Sequence, residues 1–263
     1  MKIRFIGVGE ACDPCHHNTS LVVHHREDGL GHLMFDCGFT VPHAYFYHYS
    51  EPNELEAVWI SHFHGDHFFG LPLLILKLGE LGRSAPLKII GSPGIENVIR
   101  QVLELAYGSL SNDPGYRLDF LELAPGQEID AAGVIWRCAV SDHSRFACGV
   151  RIDAGKQSIF YSGDGRPTVN TTNLAKGCDL VVHEAYSLCG EVAGHGTIDG
   201  CLEFARLAGV KNLALVHLKG TDRLSRLPEI KELIARADDL NVLMPEAGAE
   251  FDLALLNGNQ RQR

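Results

Sequence analysis

Short apolar runs at 3–8, 19–24, 32–36, 57–60, 87–90, 118–123, 133–140, 146–152, 158–162, 179–183, 212–216 and 249–255 punctuate the chain. Most are closed by Gly, Pro or Asp, so each predicts a strand. Helical spacing appears where Leu71, Leu74, Ile75 and Leu78 fall at i, i+3, i+4 and i+7, and again at Ile198, Cys201, Leu202 and Ala205. Two more helices are predicted where proline suits a first turn: from Ile95 to Ala106 after Ser92-Pro93, and around Ile230, Leu233 and Ile234 after Pro228. Strands come in blocks with helices interspersed late, the order of an α/β protein with two packed sheets and helices on their outer faces. No Pro/Ser-rich linker, repeat or low-complexity tract divides the chain, so a single domain over 1–263 is expected, with a frayed tail at 257–263.

Composition narrows this picture in three ways. The opening Met1-Lys2-Ile3-Arg4-Phe5-Ile6-Gly7 reads as a strand and not a signal peptide, and no apolar run approaches the roughly 20 residues that span a bilayer. The eight cysteines lack the regular spacing of a secreted disulfide scaffold, so reduced thiols and a cytoplasmic location are expected, with no membrane partner. A formal charge of −10 argues against a broad nucleic-acid-binding face, because such binding rests on neutralising phosphates.

The chemistry concentrates after the strands. His62, His64, Asp66 and His67 crowd the segment directly beyond the apolar run that ends at Ile60. Imidazole nitrogen and carboxylate oxygen suit borderline divalent ions, and residues at the carboxyl edge of a sheet are where open α/β folds collect ligands. His143 follows the run ending at Val140, Asp164 follows Ile159-Phe160-Tyr161-Ser162-Gly163, and His217 follows Leu213-Ala214-Leu215-Val216. Each is a ligand-type side chain just past a strand, so all can converge on one sheet edge.

With Phe35-Asp36-Cys37-Gly38, the His62 window, Tyr161-Ser162-Gly163-Asp164-Gly165-Arg166-Pro167, His183-Glu184-Ala185, Gly194-His195-Gly196-Thr197 and Val216-His217 in this order, the chain resembles a metallo-β-lactamase-fold hydrolase. Within that superfamily it is most similar to the ribonuclease Z-like phosphodiesterases. The resemblance runs from about Gly7 to His217 and implies a four-layer αββα sandwich of two mixed sheets. It further implies that His62, His64 and His143 bind one divalent ion, that Asp66, His67 and His217 bind a second, and that Asp164 bridges them. Zinc fits such ligands best, with manganese or iron as alternatives. A water shared by the two cations would attack as hydroxide. Asp66, Glu184 and His195 are the catalytic residues so implied, Glu184 orienting His195 as general acid toward the leaving group.

Departures from the family set the expected substrate. Ribonuclease Z enzymes that process tRNA carry a long Gly- and Pro-rich arm, commonly between the equivalents of His143 and Asp164, and here only 20 residues separate these positions. That and the negative charge point to a small or cyclic phosphodiester. Processing of tRNA 3′ ends, or hydrolysis of aryl sulfates or lactones on the same scaffold, are the alternatives, and a non-catalytic metal-binding protein comes last. After His217, Lys219 and Arg223 are expected to be able to meet a phosphate. Thr197 is the expected cap of the helix beyond Gly196, whereas Asn18, Thr19 and Ser20 read as turn chemistry. Cys12-Asp13-Pro14-Cys15 has metal-ligand spacing but no second pair, so free thiols are preferred there. The aromatic stretch from Phe39 to Tyr49 is expected in the core, in a homodimer contact or along the pocket wall.

Overall fold

The computed structural model describes residues 1–26, 31–190 and 192–258. Its strands are β1 (Lys2–Gly7), β2 (Ser20–His24), β3 (His32–Phe35), β4 (Leu55–Ile60), β5 (Leu87–Gly91) and β6 (Leu118–Glu122), then β7 (Glu128–Ala131), β8 (Val134–Val140), β9 (Cys148–Ala154), β10 (Gln157–Tyr161), β11 (Leu180–Glu184), β12 (Asn212–Val216) and β13 (Asn241–Leu243), and last β14 (Glu250–Asp252). Two seven-stranded sheets result, ordered β14-β1-β2-β3-β4-β5-β6 and β13-β12-β11-β10-β9-β8-β7. Both are mixed. The run β3-β4-β5-β6 is parallel, as is β10-β11-β12-β13, and the remaining neighbours are antiparallel.

Helices α1 (Val41–His48), α2 (Gly65–Phe68), α3 (Leu71–Glu80) and α4 (Ile95–Asn112) accompany the first sheet. Helices α5 (Val169–Ala175), α6 (Ile198–Ala208), α7 (Gly220–Ser225) and α8 (Leu227–Ala235) follow strands of the second, and α9 (Leu253–Gly258) ends the described chain. Strand alternation divides the apolar side chains between layers. Ala57 and Trp59 of β4 join the core between the sheets, while Val58 and Ile60 pack with Leu71, Leu74, Ile75 and Leu78 of α3. On the far side, Val181, Leu213 and Leu215 pack under Ile198, Cys201, Leu202 and Ala205 of α6 and Ile230 of α8. These three cores define an αββα sandwich. Trp59 and Trp136, both 0% exposed, stack across the inter-sheet core with ring centroids 6.4 Å apart, and Phe35 joins Trp136 at 5.7 Å. Such pairs add about 0.5–1.5 kcal/mol each beyond the area they bury.

Local chemistry sets most boundaries. Thr197 caps α6 by accepting from Gly200 N–H at 3.1 Å, and Gly209 closes it at φ 67°. Helix α4 is regular through Ala106, breaks at Tyr107 (φ −149°, ψ 82°) and resumes to Asn112; Pro93 lies before its N-cap, Gly94, instead of in its first turn. The apolar run at 249–255 corrects the expectation of one strand. Only Glu250–Asp252 pairs with β1; the Asp252 carboxylate then accepts from Ala254 N–H at 2.9 Å and the chain turns into α9. Asn257 and Gly258 close that helix, and the rest of the expected frayed tail, 259–263, lies outside the described residues. The 39–49 stretch forms α1: Tyr45 and Tyr49 face the core, whereas Phe39 and Tyr47 are exposed. No described helix is long and apolar enough to cross a membrane.

Candidate metal centre

The carboxyl ends of β3, β4, β8, β10, β11 and β12 all deliver polar residues to one edge of the sandwich: Asp36, the His62 loop, His143, Asp164, Glu184 and His217. Helix α2 is only one turn long, and that turn carries Asp66 and His67 beneath His64. Gly38 makes the approach possible. A Cβ built there would lie 1.9 Å from the Asp66 carbonyl oxygen, and Cys37 N–H donates to His67 O at 2.7 Å. Asp36 and His217 both sit in left-handed backbone, φ 58° and 56°, which is costly for non-glycine residues and is found where the surrounding structure holds a site in place.

Three groups of ligand atoms form among the described residues, one of them Glu184, His195 and His217, and the other two share a residue. Those of His62, His64, His143 and Asp164 lie within 4.8 Å of one another, and so do those of Asp66, His67, Asp164 and His217. Asp164 is common to both. His143 Nε2 and His64 Nδ1 approach to 3.1 Å, and His67 Nε2 stands 3.2 Å from Asp66 Oδ2 and 3.3 Å from Asp164 Oδ1. His217 Nε2 is 3.5 Å from both carboxylates. The structure thus brings together all seven sequence-predicted ligands.

The outer hydrogen bonds leave nitrogen lone pairs facing inward. Asp36, fully buried, accepts from Ser61 N–H at Oδ1 (2.8 Å), and at Oδ2 from Ser61 Oγ and the Tyr161 hydroxyl, each at 2.7 Å. His67 Nδ1 lies 2.7 Å from the same Oδ2; a carboxylate only accepts, so Nδ1 carries the proton and Nε2 is free as a ligand. Ser61 Oγ, its hydrogen spent on Asp36, accepts from His62 Nδ1 at 3.0 Å, and Gly194 O accepts from His143 Nδ1 at 2.5 Å. Nε2 of His62, Nε2 of His67 and Oδ1 of Asp164 are buried with no hydrogen-bond partner among the described residues. Orphaned polar atoms of this kind are costly, and a cation would satisfy all three. The donor set therefore fits divalent metal. Asp36 is absent from the residues that the sequence predicts for the site; its place just past β3, like the proposed ligands beyond their strands, is the signal that could have found it.

Electrostatics follow the same geometry. Burial pushes His62 well down, aided by His67, and burial with His143 lowers His64, so both stay neutral and ligand-ready. Burial also acts to lower His67 and His217, but Asp164 outweighs it; with Asp36 beside His67 and Asp66 beside His217, His67 rises well above its usual value and His217 rises to about 9. Burial would raise Asp164, yet His217 and His67 hold it well below the carboxylate range.

Beside this cluster, His195 Nδ1 lies 3.2 Å from Glu184 Oε1, which also accepts from Gly196 N–H at 2.7 Å and Gly165 N–H at 3.0 Å. The His195 ring is 5.0 Å from that of His143 and 6.0 Å from that of His217. On its other side a groove of about 570 Å³ opens, lined by Arg166, Thr168, Asn173, Lys176 and Phe204 among others.

Other expectations resolve away from the centre. Arg223 is buried and donates to Pro245 O at 3.2 Å with Glu246 at 3.0 Å, so it is a structural tie and not a phosphate contact. Thr40 donates to Asn18 Oδ1 from N–H (3.1 Å) and hydroxyl (2.9 Å), while Thr19 and Ser20 donate to the carbonyls of Gly9 and Asp36; these bonds tie segments distant in sequence, which corrects the expectation of local turn chemistry. Cys12 and Cys15 are exposed free thiols and belong to no group of three ligand atoms among the described residues.

The fold recurs in solved structures. The metallo-β-lactamase-fold protein YhfI from Bacillus subtilis superposes with a TM-score of 0.78 at 20% identity over 95% of this chain and 99% of its own. Human tRNase Z, short form (ELAC1), gives 0.75 at 21% identity over 96% and 99%. In sequence, ribonuclease Z of Methanosarcina acetivorans is 27% identical over 273 residues, covering 83% of this chain and 87% of the relative. The family model described as anti-Pycsar protein Apyc1 matches residues 1–221. A metal-dependent hydrolase with the metallo-β-lactamase fold and ribonuclease Z-like sequence, this chain belongs to the family of the anti-Pycsar protein Apyc1.

Proposed function

We propose that the protein is a dinuclear metal phosphodiesterase acting on a small or cyclic phosphodiester. The observation that carries this reading is His195, held by Glu184 at the border of a ligand cluster with room for two ions. His62, His64 and His143 would hold one ion and Asp66, His67 and His217 the other, with Asp164 shared. Divalent ions there, zinc before manganese or iron, would supply water activation and neutralise phosphate charge. The protein's own contribution is on the leaving side. A diester's alkoxide departs slowly unless protonated; Glu184 fixes Nδ1 of His195, which leaves Nε2 to deliver the proton, help worth roughly 10²–10⁴ in rate. A lactone or activated ester has less need of such an acid, which favours the diester over those substrates.

Size enters through the second sheet. Between His143 and Asp164 the chain is consumed by β9 and β10, which pair as a tight hairpin from Gln157↔Ala154 to Tyr161↔Val150. No arm emerges there to clasp a tRNA. The relatives named ribonuclease Z keep precursor tRNA as the second reading. Metal analysis of purified protein, followed by turnover of bis-p-nitrophenyl phosphate, cyclic nucleotides, an aryl sulfate, a lactone and a precursor tRNA, separates them. Two ions per chain and preferential cleavage of small diesters are expected. Robust trimming of precursor tRNA would overturn the small-substrate reading, and turnover of the lactone or sulfate alone would displace the phosphodiesterase.

A further inference from the structure

The acid histidine has a second neighbour with no role so far. Tyr186 stands two residues beyond Glu184, past the end of β11, and its ring stacks on that of His195 with centroids 4.8 Å apart and planes 28° apart. The same ring reaches to 6.3 Å from the His217 ring. Its backbone is pinned at both ends: N–H donates to Glu184 Oε2 at 3.0 Å, and the carbonyl accepts from Lys219 N–H at 2.9 Å. Glu184 therefore fixes both members of the stack, holding the Tyr186 peptide through one oxygen and His195 through the other. The bond from Glu184 to His195 constrains one ring nitrogen and leaves rotation about that contact free. A flat neighbour on the ring face removes that freedom.

We infer that Tyr186 is the positioning residue for His195, its ring fixing the plane in which the imidazole offers Nε2 to the leaving oxygen. The inference rests on the phosphodiesterase reading for its catalytic consequence but not for its geometry. Proton delivery is steeply sensitive to alignment, and small misplacements can cost orders of magnitude. The ring supplies the contact; the hydroxyl is in no hydrogen bond with the described residues, so phenylalanine should replace tyrosine and alanine should not.

The test uses two diesters that differ only in their need for an acid, methyl p-nitrophenyl phosphate and methyl phenyl phosphate, with wild type, Tyr186→Phe and Tyr186→Ala at matched metal content. Tyr186→Ala is expected to lower kcat for the phenyl ester about 10-fold or more, a part of the roughly 10²–10⁴ an acid supplies, while changing kcat for the nitrophenyl ester and KM for both by less than about 3-fold. Tyr186→Phe should match wild type on both. Equal losses on the two esters, or none, would overturn the inference, as would failure of phenylalanine to rescue. A second readout needs no turnover. In wild type and Tyr186→Phe the His195 Hε1 resonance should be shifted by the stacked ring and sharp, and in Tyr186→Ala it should lose the shift and broaden. An unchanged resonance refutes the positioning role. Should wild type cleave neither ester while the resonance behaves as expected, the phosphodiesterase reading fails and the positioning of His195 stands.

Discussion

Asp36 Oδ2 lies 2.7 Å from Nδ1 of His67, deep in the protein, with Ser61 and Tyr161 donating to the same carboxylate. Outer carboxylates of this kind orient a histidine and raise its basicity, and losing one typically costs about 10–100-fold in metal affinity. Asp36→Ala should therefore weaken metal binding by about that factor, read by chelator competition. Affinity equal to wild type would show that His67 needs no such support.

Gly38 offers a check on the same corner from the backbone. A Cβ there collides with the Asp66 carbonyl at 1.9 Å, and backbone cannot swing aside as a side chain can. Gly38→Ala is expected to push α2 away, lowering metal content per chain and destabilising the protein by about 1–3 kcal/mol, a usual cost of overpacking. Metal analysis with thermal melts measures both, and a fully loaded variant of wild-type stability would contradict the close approach.

His195→Ala would separate the proposed acid from the ions. Metal content should stay at the wild-type level while turnover of a diester with a poor leaving group falls by roughly 10²–10⁴. Unchanged turnover would remove His195 from the mechanism.

Acidity of that histidine gives a pH test. Burial works to lower its pKa, but the Glu184 hydrogen bond and charge outweigh it, so the net shift is upward. A general acid acts protonated, so activity persists to higher pH than a free imidazole would allow and declines as pH rises through the raised pKa. Glu184→Gln keeps an acceptor oxygen for His195 and removes the charge, giving up the Tyr186 N–H contact at the other position. Its alkaline limb in kcat should move to lower pH, and an unmoved limb would assign that limb to another group.

Metal removal should be felt as a pH-dependent loss of stability. Without a cation, His217 has its pKa raised from 6.5 to about 9 by Asp164 and Asp66, against the cost of burial. A group raised in the folded state stabilises fully below its unfolded pKa and loses that contribution as pH rises through the folded one. The chelated protein should accordingly lose Tm between about pH 6.5 and 9 relative to the loaded protein, whose neutral histidines are held as ligands. At ion concentrations 100 times Kd, loading itself adds about 2.7 kcal/mol. Parallel melts with and without chelator across that range test the sign; a gap that narrows with rising pH would reverse it.

The proposed ligands were legible because each stands at or shortly after the end of an apolar run, and a strand end is a position that sequence marks well. Asp36 obeys the same rule after Phe35 and went without a role, since one carboxylate in a motif looks the same whether it binds an ion or holds a ligand. What stayed hidden lacks periodicity. In β7, Glu128 and Asp130 alternate with a single isoleucine, β13 is three residues long, and α5 is built from Thr and Asn around a Thr168–Thr171 capping box. The 249–255 run shows the converse limit: of its apolar residues only Leu253 is buried while Leu255 is exposed, and the Asp252 hydrogen bond to Ala254 N–H marks where strand becomes helix. Tyr186 was invisible for a different reason, because a stack between residues nine apart depends on how the loop after β11 folds back.

Both proposed ion sites draw on both sheets. His62, His64, Asp66 and His67 come from the half ending with β6, whereas His143, Asp164 and His217 come from the half beginning with β7. Either half alone holds fragments of two cages and a complete set for neither. Metal loading would therefore work as a clasp across the seam between the layers, and a chain whose sheets had failed to dock would announce the fault by its inability to retain metal.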